Sequence, residues 1–350
     1  YIALRFLACL IDVTANGGQQ PLVVSTDFTF FEPAARGNAT IDLGPGTQFW
    51  IACPGGEFAD DLNANGELMT CQGGTNIATR TGEVYDYNNI TCTMLPNQRP
   101  ELYELIPTNP DIRCANFYTP IQIGYMVNNH FVSVLTTCFN HLVLTPVYTR
   151  HELTPWARRG NNGDRPDVFR SSAFYNGIDV NNLYATSTDI IHGLGFATYP
   201  IPNNPLNRGH LAPNDDFLYQ FQRDATFSYL NVAPQWTRFN SGNWERLENG
   251  IALLTQRRNN GVATVLTGTL NILALTEGDF TEPIYLLPGD QKLPVPEFFW
   301  KFVLYPTVAE QYVFFGSNIP DGAPDFIPTI CAQDALQEAQ TAWGLGGIDN

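Results

Sequence analysis

Residues 207–217 read Asn-Arg-Gly-His-Leu-Ala-Pro-Asn-Asp-Asp-Phe, in a chain that holds only five histidines among 350 residues. The order places an imidazole directly behind an arginine and a glycine. A neutral imidazole, with an ordinary pKa of about 6.5, is available as a base at neutral pH. The guanidinium of Arg208 offers a fixed fork of donors that matches phosphate oxygens. Farther on, Asn240, Trp244 and Glu248 recur at steps of four, which on a helix stacks three side chains along one face. An amide at the first turn and a carboxylate two turns later would then look the same way. Trp244 in this row reads as core packing. The other histidines, His130, His141, His151 and His192, read as structural.

These groups need elements to hold them. Residues 227–233, Phe-Ser-Tyr-Leu-Asn-Val-Ala, alternate as a strand does, and Pro234 is expected to end it. A histidine strand, a loop, a second strand and the helix carrying Asn240 and Glu248 make a ββα unit. Later runs such as Val-Ala-Thr-Val-Leu-Thr-Gly-Thr-Leu (262–270), Pro-Ile-Tyr-Leu-Leu-Pro (283–288), Phe-Phe-Trp-Lys-Phe-Val-Leu-Tyr (298–305) and Gln-Tyr-Val-Phe-Phe-Gly-Ser (311–317) are apolar, β-branched or aromatic and of strand length. Residues 331–344 contain good helix formers and end in Gly344, as a helix would. Before them, residues 20–140 alternate short strand-like runs with Gly, Asn and Thr, and read as a β-rich module without a catalytic constellation.

The formal charge of −16 argues at first against a phosphate-bearing partner, since the long-range field repels it. The charge is unevenly placed, however. Residues 147–260 carry eleven arginines and no lysine against ten carboxylates, so this segment is nearly neutral and the remainder bears −17. The whole chain has two lysines, Lys292 and Lys301, a bias for which the sequence offers no physical account.

The first residues, through Val13-Thr14-Ala15, form a short apolar run ending in small residues, which reads as a secretory signal over 1–15; a buried first strand or helix is the alternative. No later segment reaches the roughly 20 apolar residues of a membrane helix. With Cys9 inside that signal, Cys53, Cys71, Cys92, Cys114, Cys138 and Cys331 remain, an even set able to form three bridges whose pairing the sequence leaves open. Two glycosylation triplets, beginning at Asn38 and Asn89, agree with secretion.

Taken together, the Arg-Gly-His of 208–210, the Asn231-Val-Ala-Pro-Gln run, the Asn240, Trp244, Glu248 spacing, and the later Val-Leu-Thr-Gly-Thr-Leu and Leu-Pro-Val-Pro-Glu-Phe-Phe-Trp-Lys segments resemble the DNA/RNA non-specific endonuclease family. That family has the ββα-metal, or histidine–metal finger, fold, and includes Serratia-type, mitochondrial and crustacean duplex-specific nucleases. The resemblance covers about residues 145–320. It implies that His210 is the general base, that Asn240 is the one direct side-chain ligand of Mg²⁺ (Mn²⁺ substituting), and that Glu248 orients the metal's waters. It further implies that Asn231 helps shape the site and that Arg208 faces the phosphate. The sequence departs from the family at Asn207, where an aspartate is usual, and at Ala252, where many members carry arginine; Arg246, Arg257, Arg258 or Arg165 could supply the missing cation.

The expected architecture is α+β: a ββα-metal nuclease domain over 141–350 with a mixed or antiparallel sheet, preceded by a disulfide-stapled β-rich domain over 16–140. The expected function is that of a secreted, Mg²⁺-dependent endonuclease of low sequence specificity acting on nucleic acid, with no membrane association and no obligate protein partner. The crustacean members imply a preference for duplex DNA, while the residues themselves leave DNA against RNA open. The competing expectation is a catalytically silent protein that binds nucleic acid or glycan on the same scaffold, with Asn207 and Ala252 as signs of decay.

Overall fold

The computed structural model describes residues 8–14, 19–33, 39–93, 101–109, 118–156, 168–199, 203–257 and 261–320, with the single residues 112, 114 and 166. The helix expected over 331–344, Cys331, Asn38, Arg165 and Arg258 lie outside them.

The architecture is α+β, dominated by antiparallel sheet. Seven strands form the central sheet in the order 103–105, 119–127, 130–140, 145–153, 263–272, 296–305 and 310–317. Most strand-length runs expected from the sequence fall on these elements. The hairpin joining 119–127 to 130–140 turns on Asn128 and Asn129, with φ of 46° and 64°. Two left-handed residues in a two-residue turn match the twist of the strands they join, and asparagine tolerates that conformation better than most side chains.

A second, five-stranded sheet runs 22–25, 48–52, 67–73, 76–78 and 84–86. Two disulfides, Cys9–Cys71 and Cys53–Cys92, fasten this part of the chain, and a third, Cys114–Cys138, is anchored in the central-sheet strand 130–140. The participation of Cys9 corrects the expectation of a cleaved signal over 1–15. Residues Cys9–Asp12 form a strand paired with Thr40–Leu43, Cys9 and Ile11 are fully buried, and removing them would expose both that pairing and the thiol of Cys71.

Residues 140 and 145 end two neighbouring strands of the central sheet, so the boundary expected at 140/141 falls in a hairpin turn. A single apolar cluster, running from Cys9 to Val295, packs the five-stranded sheet, strands 119–140 and the segment carrying His210 against one another. A smaller cluster fixes the helix Glu245–Arg257 to the other part of the central sheet through Ile251, Ala252, Val265, Val303 and Tyr305. Ala252, at 1% exposure, is one of the residues that seat this helix. Among the described residues, no helix is long and apolar enough to cross a membrane.

Candidate active site

His210 is the last residue of the strand Leu206–His210, which pairs antiparallel with Val232–Trp236; His210 lies opposite Val232 and Gly209 opposite Ala233. The glycine between Arg208 and His210 is required by packing: a Cβ there would collide with the side-chain amide of Gln235, which is fully buried against it. Contrary to expectation, Pro234 sits inside the second strand and Tyr229–Asn231 form a tight turn before it. The pair is only two strands wide, so the ladder position that proline cannot fill need not be satisfied by a third strand.

The ring of His210 is half-buried against Phe169 and Phe227, at centroid distances of 5.2 and 4.8 Å, and also lines an open polar cleft of about 420 Å³. Across that cleft lie Asn240, Glu245 and Glu248; Asn207, Arg208 and Asp215 complete its polar wall. The sequence-expected convergence of His210, Asn240 and Glu248 is thus present, but its route differs. Asn240 belongs to an irregular turn of π-helical bonding, Phe239–Trp244, broken at Gly242 (φ −115°, ψ −108°), and the regular helix starts only at Glu245. The break separates the row expected on one face. Trp244 packs into the core beside Phe239 and Phe299, while Asn240 and Glu248 open onto the cleft.

Arg208 is held before any substrate arrives. Its Nε donates to the Tyr229 hydroxyl at 3.0 Å, its Nη2 donates to Asn181 Oδ1 at 2.7 Å, and its guanidinium carbon lies 5.3 Å from the centre of the Tyr184 ring. Burial pushes the Tyr229 hydroxyl up from its ordinary pKa, with Arg208 partly opposing the shift, so this hydroxyl remains a neutral partner at physiological pH.

Asn231 stands behind the cleft rather than in it. Fully buried, it accepts from the Ala212 N–H at 2.9 Å and donates to the carbonyls of Ala212 and Thr226 at 2.8 and 3.0 Å. Every polar atom of its side chain is thereby spent on fixing the loop that leaves His210. Arg246 is exposed and does not line the cleft, so the structure does not bring it to the other expected site residues; Arg257 ends the helix and is likewise absent from the lining. His151 is a buried partner of Asp216 at 3.0 Å, His141 and His130 make surface contacts near their own strands, and His192 is exposed.

The cleft lining also includes Asn214, Asp215, Ser241, Glu245 and Asn249, which sequence reasoning did not single out. Exposed-looking polar residues in loops carry no periodic signal, and only the fold gathers them. Lys301, one of the two lysines, stands isolated inside the apolar strand run 298–305.

The donor set is one imidazole, three carboxylates and several amide oxygens around a space open to solvent. Three carboxylates would repel an anionic ligand unless a cation shared the space. Among the described residues, no three or more His, Cys, Asp or Glu side chains are grouped to enclose a metal. Sparse, hard oxygen donors in a wet cleft fit a hydrated divalent ion of the magnesium kind, which keeps most of its waters and takes few protein ligands.

A histidine strand thus faces an asparagine and a glutamate from the following helical segment across a polar cleft. Comparisons with known proteins give the family. The family model described as DNA/RNA non-specific endonuclease matches residues 116–343, and the chain belongs to that family and is a nuclease. It is 31% identical over 329 residues to a salivary endonuclease of Lutzomyia longipalpis, covering 92% of this chain and 74% of the relative. It is 27% identical over 224 residues to a salivary endonuclease of Culex quinquefasciatus, covering 63% and 57%, and 30% identical over 145 residues to the human mitochondrial nuclease EXOG, covering 40% and 39%. The likeness to a solved complex of EndoG with EndoGI is slight, with a TM-score of 0.38 at 21% identity over 60% of this chain and 81% of the other.

Proposed function

We propose that the protein is a secreted endonuclease that hydrolyses phosphodiester bonds of DNA, and of RNA where the strand can enter, with Mg²⁺ as its cation and Mn²⁺ able to substitute. The observation that carries this reading is the meeting of His210, Asn240 and Glu248 on one polar cleft. In it an imidazole nitrogen of His210 takes the proton of a water as that water's oxygen bonds to phosphorus and the 3′ oxygen leaves. Arg208, with Nε and Nη2 already engaged by Tyr229 and Asn181, presents its Nη1 edge to a phosphate oxygen without having to lose side-chain freedom on binding. Asn207 and Asp215 border the path by which the strand enters.

Asn240 would hold the cation through its amide oxygen, and Glu248 would orient the waters around it. When bound, that cation supplies charge neutralisation to the non-bridging oxygens and the leaving oxygen. Contacts directed at phosphate rather than at base edges give affinity without sequence selectivity, and such affinity weakens with salt.

Three disulfides, together with salivary relatives, support export into an oxidising compartment. Asn89, the first residue of an Asn-Ile-Thr triplet, is exposed and open to glycosylation.

The test is to incubate the protein with closed-circular plasmid, linear duplex and single-stranded RNA in Mg²⁺, with and without EDTA. Cleavage is expected in Mg²⁺, to be abolished by EDTA and to fall below about pH 6 as an imidazole base is protonated. Cleavage that survives EDTA, or a profile flat down to about pH 5, contradicts the mechanism.

A further inference from the structure

One of the chain's two lysines is sealed inside the protein. Lys301 lies in the strand Pro296–Tyr305 between Trp300 and Phe302 and is 1% exposed. Its Nζ donates to Thr267 Oγ1 at 2.6 Å, the residue directly opposite it on the neighbouring strand. The same nitrogen approaches two further acceptors at 3.5 Å, the Leu211 carbonyl and Glu248 Oε1, and lies 5.3 Å from the centre of the Trp244 ring. An ammonium has three N–H groups, and three acceptors surround this one, with an aromatic face beside them.

Two of those acceptors belong to the two sides of the cleft. Leu211 directly follows His210, the last residue of the histidine strand, and Glu248 lines the cleft from the helix. A single buried charge in the central sheet therefore touches both halves of the site from beneath. Its retention is not explained by stability. Burying an ammonium carries a large desolvation cost, and replacing a buried ion pair as a whole by apolar side chains is often neutral or stabilising. Phe299, Trp300 and Phe302 around it show that the strand otherwise takes large apolar residues.

We propose that Lys301 is a positioning residue. It fixes the Glu248 carboxylate, turned to the cleft, at a set distance from the peptide that follows His210, and thereby governs how tightly the site holds its divalent cation. Seating it in the central sheet gives it a rigid base, as a supporting group for a functional constellation requires. The role deepens the endonuclease function proposed above and presupposes its cation.

The test is a double-mutant cycle on Mn²⁺ affinity, measured by calorimetry or electron paramagnetic resonance on wild type, Lys301→Met, Glu248→Gln and the double variant, with thermal melting of each. Lys301→Met is expected to weaken Mn²⁺ binding by about 10–100-fold, the range for groups that orient metal ligands, when measured well below the variant's own melting temperature. In the Glu248→Gln background the same substitution is expected to change affinity by less than about twofold, because its route of action is already gone. Unchanged affinity in Lys301→Met, effects that simply add, or a wild type that binds no Mn²⁺ would each overturn the proposal. Should Lys301→Met fail to fold, Thr267→Val serves: it keeps the side chain's shape, removes the nearest acceptor, and is expected to weaken Mn²⁺ binding severalfold; no change would again overturn it. A wild type that shows the coupling yet cleaves no nucleic acid removes the endonuclease function and leaves the role of Lys301 standing. Cleavage by a protein whose Mn²⁺ affinity ignores Lys301 does the reverse.

Discussion

The five-stranded sheet near the N-terminus and the cleft around His210 are held together by opposite means. The sheet combines apolar strands such as Leu22–Ser25 and Gln48–Ala52 with the covalent staples Cys9–Cys71 and Cys53–Cys92. The cleft has no staple within its walls. Its parts are fixed by buried polar groups that bond to backbone: Asn231 to Ala212 and Thr226, and Asn318 to Trp236, Pro234 and Pro296. A cleft that must present charge to water cannot be closed over by apolar packing, so the order it needs comes from hydrogen-bonded residues one layer below. Where no polar opening is needed, crosslinks and apolar contacts suffice. Precision at this site is thus bought with buried polarity, which is costly when incomplete and firm when every atom is matched.

That contrast can be broken by substitution, and the largest effect is expected on the cleft side. Asn231→Ala leaves the Ala212 amide and carbonyl and the Thr226 carbonyl without their partner. It should lower stability by about 2–3 kcal/mol in urea denaturation and reduce cleavage by about tenfold or more, as expected when a supporting partner is lost. If cleavage is unaffected in the folded variant, the loop after His210 is not held by this residue.

Replacing Cys53 and Cys92 by serine should cost a comparable amount of stability, about 2–5 kcal/mol, read as a lower melting temperature. Cleavage measured well below that temperature should change little, since the bridge closes a loop of the other region. A parallel loss of cleavage would show that the two regions depend on each other more closely than their means of support suggest.

The smallest effect belongs to a residue that joins the edge of the central sheet to the turn beside the cleft. Glu104, in the edge strand Tyr103–Leu105, accepts from Ser172 Oγ at 2.5 Å and from Ser228 Oγ at 3.0 Å. Ser228 is the neighbour of Phe227, which packs on His210. Burial raises the Glu104 carboxyl above the ordinary glutamate value, against the pull of both serines and Arg170. A raised carboxyl binds its proton more tightly in the folded chain, so its contribution to stability is complete below the ordinary glutamate pKa and is lost as pH rises through the raised value. Glu104→Gln should remove that loss, and its melting temperature should gain on wild type between about pH 4 and pH 7. A constant difference across that range would contradict the assignment.

Much of the site was legible because its chemistry sits in contiguous words. His210, Arg208 and Gly209 are adjacent in sequence and Asn240 and Glu248 lie close together farther on, while the resemblance to the nuclease family supplied the link between the two groups. The spacing also misled. Steps of four predicted one face for Asn240, Trp244 and Glu248, and the break at Gly242 sends Trp244 to the core instead. Arg246, one candidate for the cation missing at Ala252, lies outside the cleft. Strand 296–305 was legible as a strand, yet the meaning of Lys301 was not, because its partners come from positions 211, 248 and 267 and meet only in three dimensions. The N-terminal run shows the same limit: short, apolar and ending in small residues, it matches an export leader in composition, and only its pairing with residues 40–43 and the bridge from Cys9 reveal a buried strand.

The most direct trial is plasmid cleavage in Mg²⁺ by His210→Ala beside wild type, with circular dichroism to show that both are folded. Loss of the imidazole should lower the rate by about 10²–10⁴-fold, the usual contribution of a general base, while the fold is kept. A folded His210→Ala protein that nicks plasmid at the wild-type rate would mean that the group doing the chemistry lies elsewhere in the molecule.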